Sequence, residues 1–423
     1  MKLKKRVLKK CLIQQILIIT IFVTVAFSVF RAGEEFQVNT YTEGPQGYPA
    51  VAMDERGYFA ITWIGYEQDG STEGIFAQRF NKDGKPLGSE FQVNTYTKPS
   101  QQSLPAVAMD RKGKFIITWH GWGPHFYEVF AQRFRKNGKP IGPEFQVNTY
   151  TEFDQEWPAV AMNRQGKFVI TWHSSEHDGN SYDIFAQRFR INGKPIGPEF
   201  QVNTYTESAQ VLPAVAMDVK GNFVITWESL EQDGDDYGIF AQRFNKNGKP
   251  LGPEFQVNTN SFREQTWPAV AMDAKGNFVI TWEGLGDGSG EGIFAQRFNK
   301  NGEPIGEEFQ VNTHTIDWQE GPAVAVDVKG NFVITWHSYG QDGSEEGVFA
   351  QRFNKKGKPL GPELQVNSYT KFFQEWPAVA MHKNGNFVIT WHSLQDGSCS
   401  GIFAKMYKKQ EKSTSNNTLQ YDH

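Results

Sequence analysis

The chain has 423 residues, 39% hydrophobic and 21% charged, a globular balance that excludes global disorder. Six of its 43 Lys and Arg precede residue 29 with no acid among them; the remaining body sets 37 bases against 47 acids and lacks the basic footprint of a nucleic-acid binder. Its 34 Phe, 14 Tyr and 12 Trp beside 41 Gly and 20 Pro favour many short strands joined by turns over long helices.

Met1–Lys10 is basic, and Leu12–Phe30 is almost wholly apolar apart from Gln14, Gln15 and small hydroxyl residues. With small residues at Ala26 and Ser28, residues 1–28 read as a secretory signal peptide cut after Ser28. The alternative is an uncleaved anchor, because the run approaches the roughly 20 residues that span a bilayer, and its basic flank would stay in the cytoplasm. Both readings export the body, secreted or in the cell envelope, with membrane contact only through this segment. Cys11 precedes the apolar run, and Cys399 is then the one thiol of the exported region. Such a region has no internal disulfide, and packing must supply its stability.

From residue 35 onward the chain repeats itself. A Thr-Trp pair closes a strand-like run at Trp63, Trp119, Trp172, Trp227, Trp282, Trp336 and Trp391. Each unit reads Pro-Ala-Val-Ala-Met-Asp, Phe-Val-Ile-Thr-Trp, Ile-Phe-Ala-Gln-Arg-Phe and Glu-Phe-Gln-Val-Asn-Thr, with small variations. Four segments rich in β-branched and aromatic residues, separated by Gly, Pro, Asn or Asp, predict an antiparallel meander. Four strands in each repeat of about 50 residues match a propeller blade. In the first blade strand A spans Ala50–Asp54, B Tyr58–Trp63, C Ile75–Phe80 and D Glu90–Thr95; the two alanines of A suit the crowded axis.

The ends of the array complement each other. It opens with a lone D-type strand, Glu35–Thr40, and closes with A, B and C strands at Ala378–His382, Phe387–Trp391 and Ile402–Tyr407. Joining them completes a seventh blade and leaves no open edge. The predicted fold is therefore all-β: a seven-bladed β-propeller over residues 29–407, four antiparallel strands per blade, closed as a monomeric ring by the N-terminal strand. The polar tail, 408–423, is expected to be disordered.

The A–B and C–D turns, such as Asp54–Gly57 and Asn81–Pro86, are short and near-identical between blades, which is hairpin chemistry. The B–C and D–A connections on the other side are longer and varied, and that face is the expected working surface. Three constellations fall there. Tyr48, Trp157, Trp267 and Trp376 each precede the strand-A proline, while Trp122 and Trp318 lie elsewhere in these loops. Flat rings beside polar groups suit sugar stacking, although Leu104 and Leu212 at the same repeat position point to plugs between blades. Glutamines two residues ahead of that position (Gln46, Gln102, Gln155, Gln210, Gln265, Gln319 and Gln374) read as caps of their own loops. The third set is titratable: His120, His173, Glu228, Glu283, His337 and His392 follow the strand-B Trp. Acidic turns follow at Asp69, Asp178, Asp233, Asp287, Asp342 and Asp396, with Asp235 beside Asp233. These oxygens suit Ca2+, the one cofactor the sequence suggests, but they lack the full calcium-loop pattern, and Asp-Gly is itself a turn formula.

In the order Pro-Ala-Val-Ala-Met-Asp, Ile-Thr-Trp, Asp-Gly and Phe-Ala-Gln-Arg-Phe, residues 35–407 resemble repeats of secreted and cell-surface bacterial proteins. That resemblance implies a propeller and no particular activity. Asp54-x-x-Gly57 to Thr62-Trp63 is loosely similar to the sialidase Asp-box but lacks its Ser-x-Asp-x-Gly-x-Thr-Trp run. Arg79, Arg133, Arg188, Arg243, Arg297 and Arg352 are one repeated strand position and read as structural. Catalysis breaks symmetry, whereas nearly every polar residue here recurs. A binding scaffold for glycans or a protein partner is therefore expected. A glycan hydrolase using Glu228 with Asp233, or Glu283 with Asp287, and a structural envelope role are the alternatives.

Overall fold

The computed structural model describes residues 30–70, 72–96, 101–175, 181–286, 290–397 and 399–410. The expected signal or anchor, residues 1–28, and the tail beyond residue 410 lie outside the described residues.

Side-chain alternation in strand B builds the core. In blade three, Phe168, Ile170 and Trp172 face blade two, where Ala108, Ile116, Val129 and Ala131 receive them. Val169, pointing the other way, receives Phe223, Ile225 and Trp227 of blade four. Each blade thus offers large rings on one face and small aliphatics on the other, a period-two pattern with both faces buried. The same arrangement fills all seven blade interfaces. The seven repeated Trp are essentially solvent-free, and truncating a buried Trp of this kind to Ala costs about 3–5 kcal/mol.

The strands form seven four-stranded antiparallel sheets. Six run A-B-C-D in chain order. The seventh joins Phe30–Gln37 to Gly401–Lys409, Phe387–Ser393 and Gln374–Met381, which is the expected closure. Its seam register pairs Glu35 with Lys405, Phe36 with Ala404 and Gln37 with Phe403, and Val38 N–H donates to the Ile402 carbonyl at 2.7 Å.

The strands differ from expectation in three ways. Strand A of blade one is Gln46–Met53 and strand B reaches Tyr66, because residues before the proline pair with residues beyond the Trp: Gln46 with Gly65, and Gly47 with Ile64. Strand D shrinks to Phe91–Gln92. Beyond it Val93 N–H donates to the Ile75 carbonyl, and the Asn94 side chain accepts from Ile75 N–H at 2.9 Å, so a side chain replaces the ladder. The last strand runs to Lys409, so Lys408 and Lys409, expected in the tail, instead pair with Arg31 and Phe30.

Repeated polar residues brace neighbouring blades. Arg79 donates to the Lys136 carbonyl of the next blade at 2.8 Å and to its own Leu87 carbonyl; Arg133, Arg243 and Arg297 repeat the link. The Glu90 carboxylate accepts from Thr40 N–H across the seam interface. The repeated arginines are thus structural, as their recurrence implies.

Removing residues 29–40 exposes the Gly401–Lys409 edge and empties part of the core between blades seven and one. The expected result is a melting temperature lowered by at least about 10 °C or aggregation on size exclusion; an unchanged melting curve would show that closure does not depend on this strand.

Candidate functional site

At the start of every A strand the register slips between two residues, such as Gly47 and Ala50. The residue at the slip precedes a proline and has positive φ, from 51° to 61°: Tyr48, Leu104, Trp157, Leu212, Trp267, Gly321 and Trp376. Proline has no N–H to give a ladder and so fits where the ladder breaks. The bulge turns the preceding side chain towards the axis. Six of the seven are not glycine, and a left-handed conformation costs them about 1–3 kcal/mol each.

At four of the seven, hydrogen bonds between blades hold this conformation. Trp157 N–H donates to His120 Nδ1 at 3.2 Å and Leu212 N–H to His173 Nδ1 at 3.3 Å. Trp267 N–H donates to Glu228 at 2.6 Å and Gly321 N–H to Glu283 at 2.7 Å. In each case the acceptor belongs to the preceding blade. The residue after the strand-B Trp is therefore part of the strand, not of the loop where the sequence places it, and it is buried to within 5% exposure at 120, 173, 228, 283 and 337.

The seven slip residues and their prolines line one cavity of 250 Å³ on the B–C and D–A face. Tyr48 packs against the core between blades one and two, and Tyr48 and Trp376 lie against His392 and His337 of the preceding blades, in keeping with the packing role that Leu104 and Leu212 suggest. The four rings also meet one another: Trp267 lies 4.7 Å from Trp376 and 5.4 Å from Trp157 between ring centroids, and Trp376 lies 5.5 Å from Tyr48. Large and small side chains alternate round the ring, with Leu104, Leu212 and Gly321 between the rings, because seven indoles would not fit one mouth.

The other two aromatics of the set do not join them. Trp122 sits edge-on to Tyr127 at 5.1 Å, and Trp318, 57% exposed, lies 6.1 Å from Tyr339. Five of the glutamines cap their loops, as Gln46 Nε2 does with the Gly44 carbonyl at 3.0 Å, while Gln102 Nε2 and Gln265 Nε2 have no partner among the described residues. Their Oε1 atoms have a partner that sequence spacing hid: Gln46 Oε1 accepts from Trp63 Nε1 at 2.8 Å, a pairing repeated through Gln265 and Trp282.

The acidic turns latch the B–C loops onto strand D. Asp69 accepts from Gln92 Nε2 at 2.6 Å, Asp233 from Gln256 at 3.0 Å and Asp342 from Asn367 at 3.0 Å. In blade two Glu128 takes over, accepting from Gln146 and Asn148, and in blade three Asp183 accepts from Asn203. Asp235 accepts from Arg263 N–H and Asp396 from Cys399 N–H. Asp178 and Asp287 lie outside the described residues. Among the described residues no three His, Cys, Asp or Glu gather as a metal centre would require. Glu228 and Asp233, paired in the hydrolase reading, serve different partners, Trp267 N–H and Gln256.

Sequence reasoning missed a carboxylate belt above the buried ring. Glu156, Glu320 and Glu375 stand across the strand pair from His173, His337 and His392, with carboxylate to Nε2 distances of 3.9, 3.5 and 3.5 Å. The signal was the recurrence of Glu before the slip residue in three of the four blades that carry this His, blade two having Ser103 instead. Glu73, Glu291 and Glu346 open strand C of blades one, five and six. Burial, then the charge of Glu320 and a hydrogen bond to it, pushes Glu291 up to about 7; burial, then Glu375, does the same to Glu346. Burial lowers His120 to about 4, keeping the ring neutral as an acceptor, and pushes Glu228 up to about 8 against the pull of Trp267 N–H.

No protein-family model matches the chain, and no curated protein does. Among solved structures it is similar to a protein of unknown function from Dyadobacter fermentans DSM 18053, with a TM-score of 0.55 and 11% identity over 90% of this chain and 99% of that one. It is also similar to the polysaccharide lyase Uly1, with a TM-score of 0.55 and 9% identity over 90% and 100%. A third is the GH93 α-L-arabinofuranosidase of Fusarium graminearum, with a TM-score of 0.49 and 13% identity over 72% and 92%. At these identities the likeness is one of fold.

A carboxyl that holds its proton more tightly when folded stabilises fully below its unfolded value near 4.5 and loses that contribution as pH rises through about 8. Glu228→Gln keeps an acceptor for Trp267 N–H and removes the titration. Chemical denaturation at pH 4.5 and pH 8 should show the variant losing roughly 2–4 kcal/mol less stability across that range than the parent. Equal losses would mean that Glu228 is ionised in the fold.

Proposed function

We propose that this propeller is an exported, non-catalytic binding module whose ligand, a glycan, is taken at the mouth on the B–C and D–A face. The observation that carries the reading is the cavity itself: indole and phenol rings brought together from four blades, half-buried, with carboxylates and imidazoles around them. Apolar sugar faces stack on such rings while hydroxyls find hydrogen-bond partners at the edge. At 250 Å³ the mouth is near the low end of ligand pockets, about 300–1,000 Å³, which suits one sugar ring and leaves a chain to run out over the face. The basic and apolar residues 1–28 support export. The scaffold is shared with glycan-acting proteins such as the lyase above, but that likeness carries the fold and not the activity.

A glycan-acting hydrolase is the second reading, and the specific observation in its favour is Glu291, a carboxyl pushed by burial and Glu320 up to about 7, the range of a general acid.

A glycan array probed with residues 29–423, followed by tryptophan fluorescence titration, tests both. A saturable oligosaccharide should bind, and Trp157→Ala, Trp267→Ala and Trp376→Ala should each weaken it about tenfold with melting curves still cooperative. Affinity unmoved by all three would place the ligand elsewhere. Release of reducing ends from the bound oligosaccharide, lost in Glu291→Gln, would replace the first reading with the second.

A further inference from the structure

The mouth is not sevenfold in its chemistry, and its blade-six sector differs in three respects that bear on the ligand. The slip residue there is Gly321. With no side chain at 321 the His337 ring comes forward, its Cε1 and Nδ1 standing 2.8 and 3.0 Å from the point a Cβ would occupy, with Trp376 at 3.7 Å. His337 is 4% exposed, and its Nδ1 has no hydrogen-bond partner, whereas His120 and His173 receive an N–H at that atom; His392 of blade seven also has an unpartnered Nδ1 and a carboxylate 3.5 Å from Nε2, but its blade has Trp376, not glycine, at the slip. Its Nε2 lies 3.5 Å from the Glu320 carboxylate, which holds the ring proton on that side and leaves Nδ1 as a lone-pair acceptor. The acceptor stands beside Gly321 and Trp376, both of which line the cavity.

The second respect is charge. Glu291, Glu320, Glu346 and Glu375 act on one another and on His337 here. Among the described residues none of the four lies within ion-pair distance of a Lys or Arg. The opposite mouth differs: there Glu55 meets Arg164 at 2.7 Å and Asp54 meets Arg56 at 2.5 Å. The third respect is the ring faces. Trp267 and Trp376 flank Gly321 in ring order, and an indole face attracts a cation. A buried acceptor that wants a donor, carboxylates without a cation and indole faces all call for the same group.

We propose that the blade-six sector is a subsite for an ammonium group, and that the glycan taken at this mouth is an amino-sugar oligomer with free amines. The proposal rests on the glycan-binding reading and specifies the chemistry of its ligand. The sugar ring stacks on Trp376, its ammonium donates to His337 Nδ1, and Glu320 supplies the counter-charge while fixing the tautomer. Uronic and other anionic sugars are repelled by the same carboxylates. Leu104 and Leu212 hold the equivalent backbone conformation in blades two and four, with φ of 51° and 52°, so the fold accepts a side chain at this position.

Calorimetric titration of residues 29–423 with four probes tests this: a glucosamine hexamer, its fully N-acetylated counterpart, cellohexaose and an oligogalacturonate. The glucosamine hexamer should bind about tenfold more tightly than either neutral probe, with an affinity that falls as salt rises, and the oligogalacturonate should not bind. Glu320→Gln and Gly321→Leu should each shrink the preference of the glucosamine hexamer over the neutral probes to under about threefold, with melting curves still cooperative; Trp376→Ala should weaken every probe that binds. Neutral probes binding as tightly as the glucosamine hexamer would overturn the ammonium subsite and leave the glycan reading standing. A preference that survives both Glu320→Gln and Gly321→Leu would move the subsite away from blade six. No binding by any of the four would overturn both readings.

Discussion

A backbone N–H turned out of its own sheet and received by the blade before it is the interaction on which the mouth depends. The slip residue cannot keep its N–H in the strand ladder, because the bulge has broken the ladder there, and a buried donor left unmet costs about 1–3 kcal/mol. His120, His173, Glu228 and Glu283 answer that donor. In doing so they fix the slip residue's conformation, and with it the direction of the side chain that enters the mouth. The same bond explains why polar residues sit deep inside strand B of an otherwise apolar core, where burial displaces the titration of His120, Glu228 and Glu283.

Much of the fold was legible because each strand repeats a strong local pattern and the array shows a surplus D strand at one end and a deficit at the other. The Thr-Trp pair marks strand B seven times, and Phe-Ala-Gln-Arg-Phe marks strand C in the first six blades. The site was less legible. Left-handed backbone usually announces itself through Gly or Asn, yet only Gly321 does so; Tyr, Leu and Trp at the other six positions give no such sign. Without the slip, strand B seems to end at its Trp, and the next residue reads as loop when it is in fact a buried acceptor. Strand D misled for a related reason: Asn94 and its equivalents imitate a ladder with a side chain, and the sequence of an imitated strand is that of a real one.

The acidic turns show how one role can pass among positions. Asp69 comes from a B–C loop and Glu128 and Asp183 from the start of strand C, yet each accepts from an equivalent Gln or Asn at strand D or just beyond it. A reader of the sequence sees an Asp-Gly motif kept in some blades and lost in another. The physics sees a carboxylate kept in blades one, two, three, four and six, because the strand-D amides need an acceptor. These carboxylates tie loops to the scaffold, while Glu156, Glu320 and Glu375 face imidazoles beside the aromatic ring, and that contrast separates scaffold from site.

Seven is odd, and an odd ring cannot alternate perfectly. Going round the mouth, large follows small until blade seven meets blade one, where Trp376 and Tyr48 are forced side by side. An even-numbered ring built from the same repeats could settle into identical halves with interchangeable pockets. This one has a parity defect, and the defect falls at the seam where the two ends of the chain are joined. It gives the ring a compass: a ligand arriving along the axis finds one orientation unlike the other six, so a protein assembled from near-copies can still present a single, addressed site.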